Sequence, residues 1–226
     1  MPNSETFVCL ANSRKLSGRC VAGKITSGAR IGNWVRPVSA RPSHEISEEE
    51  RRYADGSTPK LLDVVQVEFL SEQGIDHQQE NALIDPNFYW VKTGHLSWEE
   101  AAALSERPAS LWLNNHSSYS GQNDRVPEAM LHGIETSLAF IRVPNMSISV
   151  AAEGAAFGNN KKKVRGSFDF RSQRYALMIT DPAIEDEYIA KGIGRYSIDE
   201  EILACISLAE RHEGFAYKLI ASIIRK

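Results

Sequence analysis

The run KVRGSFDF (163–170) is separated from RYALMIT (174–180) by only RSQ. Two β-patterned runs with so short a spacer read as a hairpin, and similar runs recur on both sides of a single helical stretch. Before residue 95 they are Phe7–Leu10, a second run resuming at Cys20–Ile25 after a polar turn, NWVRPV (33–38) and LLDVVQVEFL (61–70). After residue 136 they are SLAFIRV (137–143), MSISVAA (146–152), the hairpin, EILACISL (201–208) and FAYKLIASII (215–224), the last also long enough for a helix. Pro37 confines the NWVRPV run to a sheet edge or a strand end. A short helix is expected at SEEERRY (47–53).

Helical signals concentrate between these groups. In SWEEAAALSERP (97–108) a capping box, Ser97 with Glu100, opens a helix that must stop before Pro108. A second short helix is expected from Pro127 through EAMLHG, with LNNHSSYSGQNDR (113–125) as a surface loop. Within the later β region, Asp181 and Pro182 start a helix over 181–191 as N-cap and first helical residue. The expected fold is mainly β (α+β). Two small β-barrels, at 1–95 and 137–226, are joined by a helical connector at 96–136, since so few strands close most readily as barrels.

A chain of 226 residues, 42% of them hydrophobic, can bury such cores. It has no run of about eighteen apolar residues, and basic residues occupy its first thirty positions, so a membrane partner is not expected and a cytoplasmic location is the default. Cys9, Cys20 and Cys205 are odd in number and lack CxxC spacing. They read as reduced thiols, with Cys9 and Cys20 facing inward.

Charge is unevenly spread. Residues 11–41 carry +7 with no acid and residues 159–175 carry +5, although the chain as a whole is −3. In the first cluster, Arg14, Lys15, Arg19 and Lys24 surround a reversal, and Trp34 and Arg36 follow on the next strand. In the second, Lys161, Lys162 and Lys163 precede a strand bearing Arg165 and Phe168, and Arg174 follows its turn. Cations that track a phosphate backbone, combined with aromatic platforms, are what single-strand binders use. These twelve residues are therefore the expected contacts, the cations for phosphates and Trp34 and Phe168 for stacking. The competing reading makes both rings core and the cations solvated.

Other constellations point to no chemistry. GRCVAGKIT (18–26) has glycines before Lys24 but Ile25 where a P-loop needs Ser or Thr, and no helix follows. His77 and Glu80 in HQQEN lack metal-ligand spacing and read as a polar network, and Asp181 reads as a cap. No catalytic residue, metal or cofactor is expected.

CLANSRKLSGRCVAG (9–23), NWVRPVS (33–39), LLDVV (61–65), HQQEN (77–81), MITDP (178–182) and AYKLIASI (216–223) together resemble the bacterial family named for its dual OB-containing domain. The resemblance implies two OB-like barrels and recognition of nucleic acid or an effector in prokaryotic systems aimed at mobile elements. The leading expectation is a non-enzymatic module for single-stranded DNA or RNA, or for a nucleotide ligand. The alternatives are a regulatory subunit that binds a partner effector protein and, third, an undetected enzyme.

Overall fold

The computed structural model describes residues 3–155 and 158–226. The chain divides into two compact units, residues 1–104 with 135–137, and residues 105–134 with 138–226.

The first unit holds β1 (Asn3–Lys15), β2 (Gly18–Ile25), β3 (Trp34–Val38), β4 (Asp63–Glu72), β5 (Asn81–Ile84), β6 (Val91–His95) and the helix α1 (Trp98–Ala103). Strand β1 is long enough to serve two neighbours. Its first half pairs with β4, and from Phe7 onward it pairs with β2 across a bulge between Cys9 and Ala11. A bulge bends a strand and raises its twist, which is how one strand closes a small barrel. At this bend a Cβ on Gly23 would lie 1.9 Å from the Val8 carbonyl oxygen, so only glycine fits. The ring runs β1-β2-β3-β5-β4 and back to β1, with β3 parallel to β5, and β6 adds outside β4. This is the five-stranded Greek-key barrel of OB folds. Phe7, Val21, Ile25, Val35, Val65, Phe69 and Ile84 fill it.

Pro37 sits within that ring, not at the edge of the sheet. Strand β3 meets β2 only through Trp34 and Val35, and meets β5 only from Arg36 onward. Pro37 thus occupies a stretch with a single neighbour, where its missing N–H is tolerated. The expected helix at 47–53 is a turn over 48–51.

The second unit contains β7 (Arg125–Pro127), β8 (Leu138–Val143), β9 (Met146–Ala151), β10 (Lys163–Phe170), β11 (Gln173–Ile179), α2 (Pro182–Lys191), β12 (Gly194–Ile198), β13 (Ile202–His212) and β14 (Phe215–Ile224). Its central order, β9-β10-β11-β14-β13 with β11 parallel to β14, repeats the order of the first barrel. Strand β12 extends the sheet beyond β9, and β8 extends it beyond β13. Among the described residues no strand pair joins the two ends, so this half is an eight-stranded OB-type sheet and the first is a closed barrel. Strands β11 and β14 pair only at Met178–Ile179, and the segment 122–127 fills the split, bonding Ala176 on one side and pairing with Ala216 on the other. Its core includes Ile141, Ile148, Val164, Phe168, Tyr175, Leu177, Ile206 and Ile220.

The stretch expected to be a helical connector is mostly irregular. It contains α1, a single 3₁₀ turn at Glu128–Met130, and β7. The capping box on α1 is present, with the Ser97 side chain accepting from the Glu100 N–H. No helix among the described residues is long and apolar enough to cross a membrane.

Candidate functional site

The two-residue period of β9, β10, β11 and β12 sorts their side chains. Ile148, Val150, Val164, Phe168, Tyr175 and Leu177 point to the core. The other face carries two cross-strand rows, Ser197–Ser147–Ser167–Ala176 and Arg195–Ser149–Arg165–Met178. A groove of about 380 Å³ opens on this face, lined by Ser147, Ser149, Ser167, Ser197, Arg174 and Arg195, with Tyr196 at one wall. Tyr196 is fixed by its hydroxyl, which donates to the carbonyls of Lys191 (2.8 Å) and Gly192 (3.1 Å). Arg174 is exposed and pairs with Asp169 at 3.0 Å. Arg195 is exposed, and its side chain has no hydrogen bond or ion pair with a described residue.

In OB folds the face of the second and third strands, with the loop joining the first two, takes oligonucleotides and oligosaccharides. Here those strands are β10 and β11, and the loop is 152–162. Lys161 and Lys162 on it are exposed, and Lys163 at the start of β10 is half-buried. None of the three side chains pairs with a described acid. Arg165 lies on the same face but is already engaged. Its Nε and Nη2 donate to the two carboxylate oxygens of Glu153 at 2.9 Å each, and its Nη1 donates to the Ala176 carbonyl at 3.1 Å and faces Asp124 at 3.5 Å. It holds the base of the lysine loop against β10, so its expected role as a phosphate contact is corrected to one of support.

Burial also corrects both stacking candidates. Phe168 is 1% exposed and stacks on Tyr175 with centroids 5.6 Å apart, and Trp34 is 8% exposed, so neither has a face open to a base. Lys24 is buried, with Nζ donating to the Leu104 carbonyl at 3.2 Å and lying 5.4 Å from the Trp34 ring. Arg36 is buried against Glu80 at 3.1 Å and donates to the Ser137 hydroxyl at 2.8 Å. Arg30 pairs with Glu72, and Arg41 with Glu50. Three of the seven cations of the +7 stretch, Arg30, Arg36 and Arg41, are thus paired with acids of their own unit. Arg14 remains exposed at the β1–β2 hairpin, and Lys15 and Arg19 are half-buried there.

Cys9 is fully buried, and burial pushes its thiol up to about 12, so it is inert at neutral pH. Cys20 is only half-buried, which corrects its expected inward placement. Asp181 caps α2 by accepting from Ala183 (3.1 Å) and Ile184 (3.4 Å), and it also accepts from the Ile223 N–H at 3.0 Å. Burial raises its carboxyl despite those three donors. His77 and Glu80 belong to the first unit and Asp181 to the second. Among the described residues no group of three or more His, Cys, Asp or Glu side chains could hold a metal ion.

Sequence reasoning missed Arg195 and the serines. The alternation in MSIS (146–149) was a usable signal, because it places Ser147 and Ser149 opposite Met146 and Ile148. Strand β12 offered less, being five residues long, opening on Gly194 and coming just after Gly192.

The family model described as the dual OB-containing domain matches residues 5–223. No curated protein matches the chain.

Proposed function

The chain belongs to the dual OB-containing domain family, and on that premise we propose that it is a recognition module for the phosphates of single-stranded nucleic acid or of a nucleotide ligand. The observation that carries this reading is the groove on the outer face of β9–β12, lined by serines with Arg174 and Arg195, on a sheet whose strand β10 is preceded by the lysines at 161–163. Serine hydroxyls and guanidinium forks are suited to phosphate and sugar oxygens. With Trp34 and Phe168 both in the interior, recognition is led by phosphates and not by stacked bases.

Fluorescence anisotropy with a short labelled oligonucleotide tests the reading. The chain should bind, replacing Lys161–Lys163 by alanine should weaken binding, and replacing Arg171, which donates to the carbonyls of Arg107 and Pro108, should not. Absence of binding at low salt refutes it. The partner-binding alternative rests on other residues, the half-exposed Phe88, Tyr89 and Val91 beside β6 in the first unit. Pull-down with a variant that has lost oligonucleotide binding would separate the two.

A further inference from the structure

We infer that Arg19 and Arg51 form an oxoanion site in the first unit, of the kind that takes a phosphate group. The site belongs to the first unit and the groove to the second, and the inference goes beyond the function proposed above.

Arg51 is only 7% exposed, yet it makes no hydrogen bond or ion pair with any described residue, and its Nε is buried without a partner. Buried charges in proteins are paired, because an isolated one is costly to remove from water. A lysine can escape that cost by giving up its proton, as Lys218 does in the second unit, where burial pushes it down to about 7. A guanidinium cannot, since it stays protonated at any pH a protein tolerates. Arg51 therefore keeps its charge, and an anion at its terminal nitrogens would compensate it.

The fold also places a second guanidinium nearby. The tight β1–β2 hairpin is stitched to the following loop by two bonds, from the Arg19 N–H to the Ile46 carbonyl and from the Ile46 N–H to the Arg19 carbonyl, each 2.9 Å. Gly18 allows that approach, because a Cβ there would lie 2.5 Å from the Ile46 oxygen. Five residues past Ile46, at the end of the turn 48–51, comes Arg51. Arg19 is half-buried and reaches solvent, and the one hydrogen bond its side chain makes to a described residue runs from Nη1 to the Gly18 carbonyl at 3.5 Å. Burial and then the charge of Arg19 lower the affinity of Arg51 for its proton, with exposed Glu48 and then Cys9 acting in the opposite sense. Glu45, the other acid beside the hairpin, is occupied by Ser43 and Arg41. The charges of Arg19 and Arg51 are close enough to interact, and guanidinium forks of this kind suit a tetrahedral oxoanion.

Thermal unfolding of the full chain is the test, at matched ionic strength in chloride, in inorganic phosphate and in a nucleoside 5′-monophosphate. A ligand bound only by the folded state raises the midpoint, so about 10 mM phosphate should shift it upward by a few degrees. Arg51→Met and Arg19→Ala should each lose that shift, and Arg51→Met in chloride should melt no lower than the parent chain, because it removes an uncompensated charge. A monophosphate effective at lower concentration than phosphate assigns the site to a nucleotide or strand end, and equal or weaker action assigns it to the free ion. An equal phosphate shift in the parent chain and both variants overturns the inference. So does the absence of any shift in the parent, or an Arg51→Met variant that melts well below it in chloride.

Discussion

Replacing Lys218 by methionine should abolish a distinctive pH dependence of stability in the second unit. The amine is 1% exposed, donates to the Leu113 carbonyl at 2.6 Å and lies 5.3 Å from the Tyr175 ring, and burial pushes it down to about 7. In the unfolded chain a lysine titrates near pH ~10.4. Between those values the unfolded state binds more protons than the folded state, so stability rises with pH. The slope from this one group rises from about 0.7 kcal/mol per pH unit near pH 7 towards about 1.4, which gives about 2.3 kcal/mol between roughly pH 7 and 9. Above about pH 8.5 Cys9 acts in the opposite sense, because its thiol ionises there only in the unfolded chain. Cys9 is common to both proteins and cancels in their difference. Losing the donors to Leu113 and Asn114 costs Lys218→Met about 1–3 kcal/mol, but that cost does not vary with pH. Urea denaturation of both proteins across that range is the assay, with the difference in unfolding free energy plotted against pH. The parent should gain on the variant steadily as pH rises. Parallel profiles would refute the claim that the buried amine sheds its proton.

Other substitutions test how particular residues are placed. Leu16 at the hairpin tip has φ 49° and is 74% exposed. A left-handed conformation costs a non-glycine residue about 1–2 kcal/mol, against about 0.5–1 kcal/mol for glycine's extra freedom in the unfolded chain. Leu16→Gly should therefore hold or raise the urea midpoint, and a clear fall would mean that the side chain packs. Phe168→Ala should cost about 3–5 kcal/mol of stability and leave the oligonucleotide affinity of the folded fraction unchanged. Lost affinity with stability intact would return that ring to a stacking role. Asp181→Ala should cost about 2–4 kcal/mol, because it removes a helix cap and orphans the Ile223 N–H. A calorimetric loss well under 1 kcal/mol would contradict that placement.

The legibility of this chain in its sequence divides along physical lines. Strand positions came through because a two-residue period and turn residues are local signals, as in KVRGSFDF and RYALMIT, and the Ser97–Glu100 capping box is equally local. The parallel neighbours β3–β5 and β11–β14, which give each half its OB order, join segments far apart in the chain and leave no local trace. Charge was misleading for the same reason. Arg36 and Arg165 read as surface cations until Glu80 and Glu153 are brought to them. Parity assigned Phe168 to one face correctly, but it could not say that this face is the core. Arg51 was overlooked because its significance lies in what fails to surround it, which no sequence pattern records.

The salt dependence of oligonucleotide binding tests the central claim most directly. With Lys161, Lys162, Lys163, Arg174 and Arg195 each meeting a phosphate, log K should fall against log salt with a slope near −3.5, or about a hundredfold between roughly 50 and 200 mM. The Lys161–Lys163 alanine variant should bind more weakly, and its slope should shrink in magnitude by about 2. A flat response in the parent chain, or an unchanged slope in the variant, would contradict phosphate recognition through this face.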